Sequence, residues 1–495
     1  MLTIEHFSTF FDFFSRRLSI MKDNNGNFDD YSYDIPVSKR KRETPVDFER
    51  TVNAPKEKRN GRKTAVSIIC ALTALAMIAV IIAVPVKYGG YKNLWYEING
   101  GKINYPYVFV HGLGGWGEDG GLDTASPYWG SSAGSITDYL KNEGFDVCAP
   151  GVGPISSTWD RACELYAQLT GTTVDYGAYH SEMHKHARFG RQYTTALVPQ
   201  WGERINGGQR VKINLVGHSC GGDTARLLAS LLEYGDENEQ NATGNETSPL
   251  FTGGKGSYVF SVTTLCSPHN GTSLMCLINS VGRLIGLDST TDLLTTVCFA
   301  AAGVTSPVSG VYDFMLDQFG IGKINGGLSE IKNAVRAVVE SDNDNAGYDL
   351  SPDGAKELNS KIKTVKDVYY FSYSYCSTKD TSILNGQTAD LKISLPVLIG
   401  FSDAMGMYTG VTDGGINIDS SWQANDGLVN VVSAKYPLGE EHEDYIQDST
   451  KIKKGIWYVM PTRTGHHGTV IGMDGNTSEV RQFYSDLTSM IENLR

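Results

Sequence analysis

One serine lies between two glycines, in Gly217-His218-Ser219-Cys220-Gly221, where an apolar run gives way to a helical one. Positions 211–216 read as a buried strand and 223–232 as a helix. A strand that turns directly into a helix across G-x-S-x-G forces the serine into a strained backbone conformation. Its hydroxyl then projects beyond the carboxyl end of the sheet. Side chains at 217 and 221 would clash across such a turn, so glycine is needed at both. The five-residue pattern is short and gains its meaning from those flanks.

The chain around it fits one architecture. Positions 105–111 (Tyr-Pro-Tyr-Val-Phe-Val-His) read as a buried strand ending in a glycine-rich turn, 135–142 as a helix, and 145–148 and 258–265 as further strands. Strands alternating with helices predict an α/β fold with a mostly parallel sheet covered on both faces. Polar, glycine-rich stretches at 235–254 and 340–347 read as surface loops.

Charge and cysteine usage exclude some classes. The formal charge is −12, and the first 63 residues hold 13 Lys/Arg against 10 Asp/Glu. The remainder is therefore strongly acidic, which argues against nucleic acid as a partner. The eight cysteines include no C-x-x-C pair and at this length form no disulfide framework.

Positions 64–86 are 23 residues without a charge, enough for about 35 Å of helix at 1.5 Å per residue. Ten basic residues against four acidic ones precede them in 39–63. The positive-inside rule then predicts a single transmembrane helix, with a disordered cytoplasmic tail over 1–63, a linker over 88–104 and the 105–495 domain on the extracytoplasmic side. A cleaved leader, giving a secreted protein, is the competing reading; the apolar run is long for one and lacks a small-residue cleavage site.

A serine nucleophile needs a histidine to take its proton and a carboxylate to orient that histidine, in the chain order Ser, Asp, His. Asp426 stands at an Asn-Asp-Gly turn, and His466 and His467 on a glycine-flanked loop before the last helical stretch. Spacing alone does not choose between the two histidines. Two backbone N–H groups must face the developing oxyanion; Cys220 follows the nucleophile, and Leu113 lies in the loop after the first strand. His180, His184 and His186, with Asp160 and Asp175 upstream, carry metal-ligand chemistry, although surface histidines give the same pattern.

The stretch STWDRACELYAQLTGTTVDYGAYHSEMHKHARFGR at 157–191 closely resembles the lipase family of staphylococci and thermophilic bacilli, of the α/β-hydrolase superfamily. The likeness continues through 217–226, 261–272, 311–320 and 348–351, and covers about 105–485. It implies an α/β-hydrolase fold with an inserted zinc-binding subdomain and a helical lid. It implies a triad of Ser219, Asp426 and His467, the last chosen because it stands seven residues before Asp474. It implies oxyanion donors at Leu113 and Cys220, and a structural zinc on Asp160, His180, His186 and Asp317, leaving His184 a bystander. The apolar segment 274–302 becomes the lid, a buried helix pair being the other reading.

Departures carry weight too. The family usually has Ala and Gln where Gly217 and Cys220 stand. The glutamate of its calcium site is Thr469 here, while Asp474 is kept, so calcium binding is doubtful. The implied activity is carboxylic ester hydrolysis, as a triacylglycerol lipase acting on lipid or ester substrates. A short-chain esterase, a phospholipase, another hydrolase on this fold and a non-catalytic surface binding module are the alternatives.

Overall fold

The structure, a computed structural model, describes residues 104–494 apart from 119–121, 124–125, 206–207, 279–312, 322–327 and 382–385. The expected tail, membrane span and most of the linker lie outside the described residues, as does all of the expected lid beyond Ile278. Among the described residues no helix is long and apolar enough to cross a membrane.

Seven strands form the central sheet: β1 (Tyr107–Val110), β2 (Val147–Cys148), β3 (Ile213–His218), β4 (Val259–Leu265), β5 (Tyr369–Tyr373), β6 (His442–Asp444) and β7 (Trp457–Val459). Their order across the sheet is β6-β7-β5-β4-β3-β1-β2. Every pairing is parallel. The chain leaves β1 toward β2 on one side and resumes at β3 on the other. The carboxyl ends of β1 and β3 therefore flank the topological switch point, where α/β sheets open a crevice.

Alternation along the strands splits the core in two. Tyr107 and Phe109 of β1 face one cluster, with α1 (Ile136–Asn142) and the C-terminal helix α5 (Thr477–Glu492). Val108 and Val110 face the other, with α2 (Thr158–Thr170) and α4 (Cys220–Tyr234). Such near-continuous apolar strands, buried on both faces, are what a parallel sheet requires. Caps fix the helix starts: Ser135 accepts from Asp138 N–H, and Ser157 from Asp160 N–H. A third apolar cluster, including Leu113, Cys220, Leu274 and Leu428, gathers where the active residues are expected.

Two of the expected surface loops are more ordered than their composition suggests. The 235–254 stretch contains a helix over Glu237–Thr243, capped by the Asp236 carboxylate. The 340–347 stretch turns inward at 344–347: Asp344 and Asn345 are 5% and 2% exposed. Polar composition signals a loop only while the polar groups lack partners inside the fold. Between α2 and β3 the chain inserts an antiparallel ribbon, Thr173–Asp175 with Phe189–Gln192, and the short helix α3 (Ala178–His184).

The core arrangement gives a direct stability test. Phe371 of β5 is fully buried, whereas Leu391 is 72% exposed. Phe371→Ala is expected to cost about 3–5 kcal/mol in denaturant unfolding, and Leu391→Ala less than about 0.5 kcal/mol. Equal effects would contradict the two-sided core.

Candidate functional site

Ser219 sits between β3 and α4 with φ 55° and ψ −136°, a left-handed conformation costly for a residue with a side chain. The surroundings enforce it. A Cβ at Gly217 would strike the carbonyl of Gly221, and one at Gly221 would strike the carbonyls of Val110 and His111. The first turn of α4 thus packs backbone to backbone against β3 and the end of β1.

Ser219 and His467 line one pocket, walled by apolar side chains including Leu113, Leu274, Ile278, Leu398 and Leu428. His467 Nδ1 donates to Asp426 Oδ2 at 2.9 Å. Asp426 Oδ1 accepts the N–H groups of Leu428 and Val429 at 3.0 and 2.8 Å, so the carboxylate is buried yet fully bonded. The His467 N–H also donates to the Asp426 carbonyl at 2.9 Å. Of the two candidate histidines, His467 is the one aimed at Asp426. His466 faces away, toward Asp474.

Two residues that the sequence reading left without a role hold this arrangement. His218 Nε2 meets the His467 carbonyl at 3.0 Å, which can only accept, so the ring proton is on Nε2. His218 Nδ1 then accepts from the Tyr128 hydroxyl at 2.7 Å, and that hydroxyl accepts the Gly112 N–H at 2.8 Å. Burial pushes the His218 pKa well below the ordinary value, with the neighbouring His467 adding to it, so the ring stays neutral.

The loop after β1 is fixed in the same manner. His111 Nδ1 donates to the Gly112 carbonyl at 2.8 Å, and its Nε2 accepts the Val152 N–H at 3.1 Å. Burial, reinforced by Arg161, lowers the His111 pKa to about 3. The Arg161 guanidinium donates to the His111 and Gly153 carbonyls. With the Gly112 carbonyl turned toward His111, the planar trans peptide points the Leu113 N–H the opposite way. The N–H groups of Gly112, Gly114 and Gly115 are all taken. Among the described residues no hydrogen bond takes up the Leu113 N–H. Cys220 opens α4, so its N–H has no intrahelical acceptor. Burial raises the Cys220 thiol pKa, which makes it a poor nucleophile.

A second cluster lies in the inserted ribbon. Asp160, His180 and His186 converge as expected, but the fourth member is Asp344, not Asp317. Their ligand atoms all lie within 4.8 Å of one another. Asp317 is instead engaged by Arg191 at 2.9 Å, and Arg191 also holds Asp313. His184 pairs with Asp342 at 3.1 Å, and Asp175 with Arg188 at 2.9 Å. Asp344 lies in the acidic run at 340–347, whose neighbouring carboxylates and amides no sequence pattern ranks.

The cluster has the marks of a ligand set. Asp160 Oδ1, His180 Nε2, His186 Nε2 and Asp344 Oδ2 are buried and hydrogen-bonded to nothing. His186 Nδ1 faces the Ala187 carbonyl at 2.9 Å and so holds the ring proton, leaving a lone pair on Nε2. Asp160 Oδ2 accepts from Gln318 at 2.8 Å. The separations His180–Asp160, His180–Asp344 and His186–Asp344 are 3.3, 3.4 and 3.3 Å, and His186–Asp160 is wider at 3.9 Å. A tetrahedral zinc with arms of 2.0–2.2 Å places its ligands about 3.3–3.6 Å apart. The group His218, Cys266 and His467 converges equally closely. There, however, both ring nitrogens of His218 and the Nδ1 of His467 are already hydrogen-bonded, which makes it a bonded layer and not a ligand set.

Residues 86–494 match the family described as the lipase-like C-terminal domain. A lipase of Staphylococcus hyicus is 31% identical over 402 residues, 79% of this chain and 58% of that protein. Lipase 1 of Staphylococcus aureus is 31% identical over 81% of this chain and 55% of its own length. The chain thus spans somewhat more than half of these curated relatives. Among solved structures, EstA from Clostridium botulinum is 36% identical with a TM-score of 0.69, covering 80% of this chain and 90% of that one. Lipase 1 from Pelosinus fermentans is 38% identical with a TM-score of 0.66, covering 78% and 98%. By extent of match and by identity over a shared fold, the chain belongs to the family of the staphylococcal lipases, defined by this lipase-like C-terminal domain.

Proposed function

We propose that the chain is a serine hydrolase of carboxylic esters, acting on acylglycerols as a lipase. The observation that carries this reading is the strained Ser219 at the switch point, in one apolar pocket with a His467 already bonded to Asp426. Its relatives are named as lipases, which supports the substrate class.

In the proposed reaction the Ser219 hydroxyl attacks the ester carbonyl while His467 Nε2 takes its proton. The oxyanion of the tetrahedral intermediate faces the N–H groups of Leu113 and Cys220. His467 returns the proton to the departing alcohol, leaving an acyl group on Ser219. Water, deprotonated by the same imidazole, then releases the acid. Asp426 keeps the His467 proton on Nδ1 in the resting state and stabilises the imidazolium. The apolar walls suit an acyl chain, and 274–278 would begin a lid over 274–302. The span at 64–86 would anchor this domain on the extracytoplasmic face.

Ser219→Ala should lower kcat on aryl esters by about 10⁴-fold or more, leaving the fold intact by circular dichroism. Long-chain turnover lost in that variant supports a lipase, and turnover of short chains alone supports a plain esterase. A folded wild type no faster than Ser219→Ala would overturn the hydrolase reading in favour of a binding module.

We further propose that Asp160, His180, His186 and Asp344 hold a zinc ion. Its chemistry there would be structural, joining the start of α2, the inserted α3 ribbon and the 342–349 turn, with no open position for substrate. Purified protein should contain about one zinc per chain. His186→Ala and Asp344→Ala should each lower the melting temperature by several degrees, and Asp317→Ala should retain the metal. Zinc lost from Asp317→Ala and kept by Asp344→Ala would reverse the assignment.

A further inference from the structure

The loop carrying His467 is closed by its own neighbours. His466 is 3% exposed, and its Nδ1 accepts the Gly468 N–H at 3.1 Å. That places the ring proton on Nε2, which donates to Asp474 Oδ1 in a close contact. The His466 N–H donates to Thr469 Oγ1 at 3.0 Å, and the Thr469 N–H returns to the His466 carbonyl at 2.9 Å. The Met473 N–H donates to the Gly468 carbonyl at 3.0 Å, drawing the segment around Asp474 back onto the loop. One imidazole thus ties together the residues on both sides of His467. The His467 main chain is bonded independently to Asp426 and His218.

The family resemblance would place a calcium ion here, with Asp474 as a ligand. The residues do not fit one. Thr469 stands at the glutamate position and already accepts a backbone N–H, and an Asp474 oxygen already accepts an imidazole N–H. A hard cation needs six to eight oxygen ligands, and an N–H donor aimed at one of them opposes it.

We propose that His466, acting through Asp474, is a positioning residue for His467, a side-chain clasp that takes the place of a cation in this loop. The inference rests on His467 being the catalytic base. A misplacement of about 1 Å in a catalytic group can cost on the order of 10²-fold in rate, so the clasp acts on kcat.

The test uses the protein with its metal content intact and a water-soluble short-chain ester, well below the melting temperature of every variant. His466→Ala is expected to lower kcat about tenfold or more with KM within about twofold. His466→Gln, whose amide can accept from Gly468 and donate to Asp474, should recover most of that loss. Asp474→Asn and Asp474→Ala form a second pair with the same readout should His466→Ala fail to fold: the first keeps an acceptor oxygen, the second does not. Millimolar calcium added to wild type should change neither kcat nor melting temperature. Unchanged kcat in His466→Ala, equal losses in the members of a pair, or a calcium-dependent rise in wild type would each overturn the clasp. His467→Ala separates the two levels: full activity there would remove the catalytic reading itself, whatever the His466 variants do.

Discussion

The turn at Ser219 rests on backbone meeting backbone. α4 begins so close to β3 and β1 that neither Gly217 nor Gly221 has room for a methyl group. That proximity fixes the left-handed φ of Ser219, which lines the pocket it shares with His467. The strain is tolerable because helix and sheet are both buried, each with its own apolar cluster behind it. A chain that loosened this contact would lose the placement of Ser219 and of the Cys220 N–H together.

Around that fixed point the polar groups form continuous hydrogen-bonded chains. Gly112, Tyr128, His218 and the His467 carbonyl make one, and His111, Gly112 and Val152 another. In each, a buried neutral imidazole has one nitrogen donating and the other accepting, so its tautomer follows from its partners. Burial costs little under those terms, because no ring nitrogen is left without a bond. The Asp160 cluster is the opposite case. Four buried polar atoms converge without hydrogen bonds, an arrangement stable in a low-dielectric interior only if something else satisfies them.

Much of this was legible along the chain. The alternating strands and helices and the order Ser219, Asp426, His467 depend on local pattern or on known chain order. Resemblance, not spacing, selected His467 over His466, and the hydrogen bond to Asp426 agrees with that choice. The structure departs from the sequence reading at two places, for different reasons. Polar composition reads 340–347 as a solvated loop, yet Asp344 is inside, completing a cluster with residues more than 150 positions upstream. The family resemblance implies Asp317 as the fourth ligand, and Arg191 holds it instead.

Sequence by itself determined the class of fold, the strained serine and the residue types able to work beside it, because these follow from short-range periodicity and from the sterics of one turn. Tertiary structure alone decided which carboxylate joins His180 and His186, which imidazole faces Asp426, and how His218 and Tyr128 brace the loop. Those choices depend on the direction in which a side chain points once distant segments have packed. Direction is set by burial and by competition for hydrogen-bond partners across the whole sheet, and a linear pattern of residue types carries no record of it.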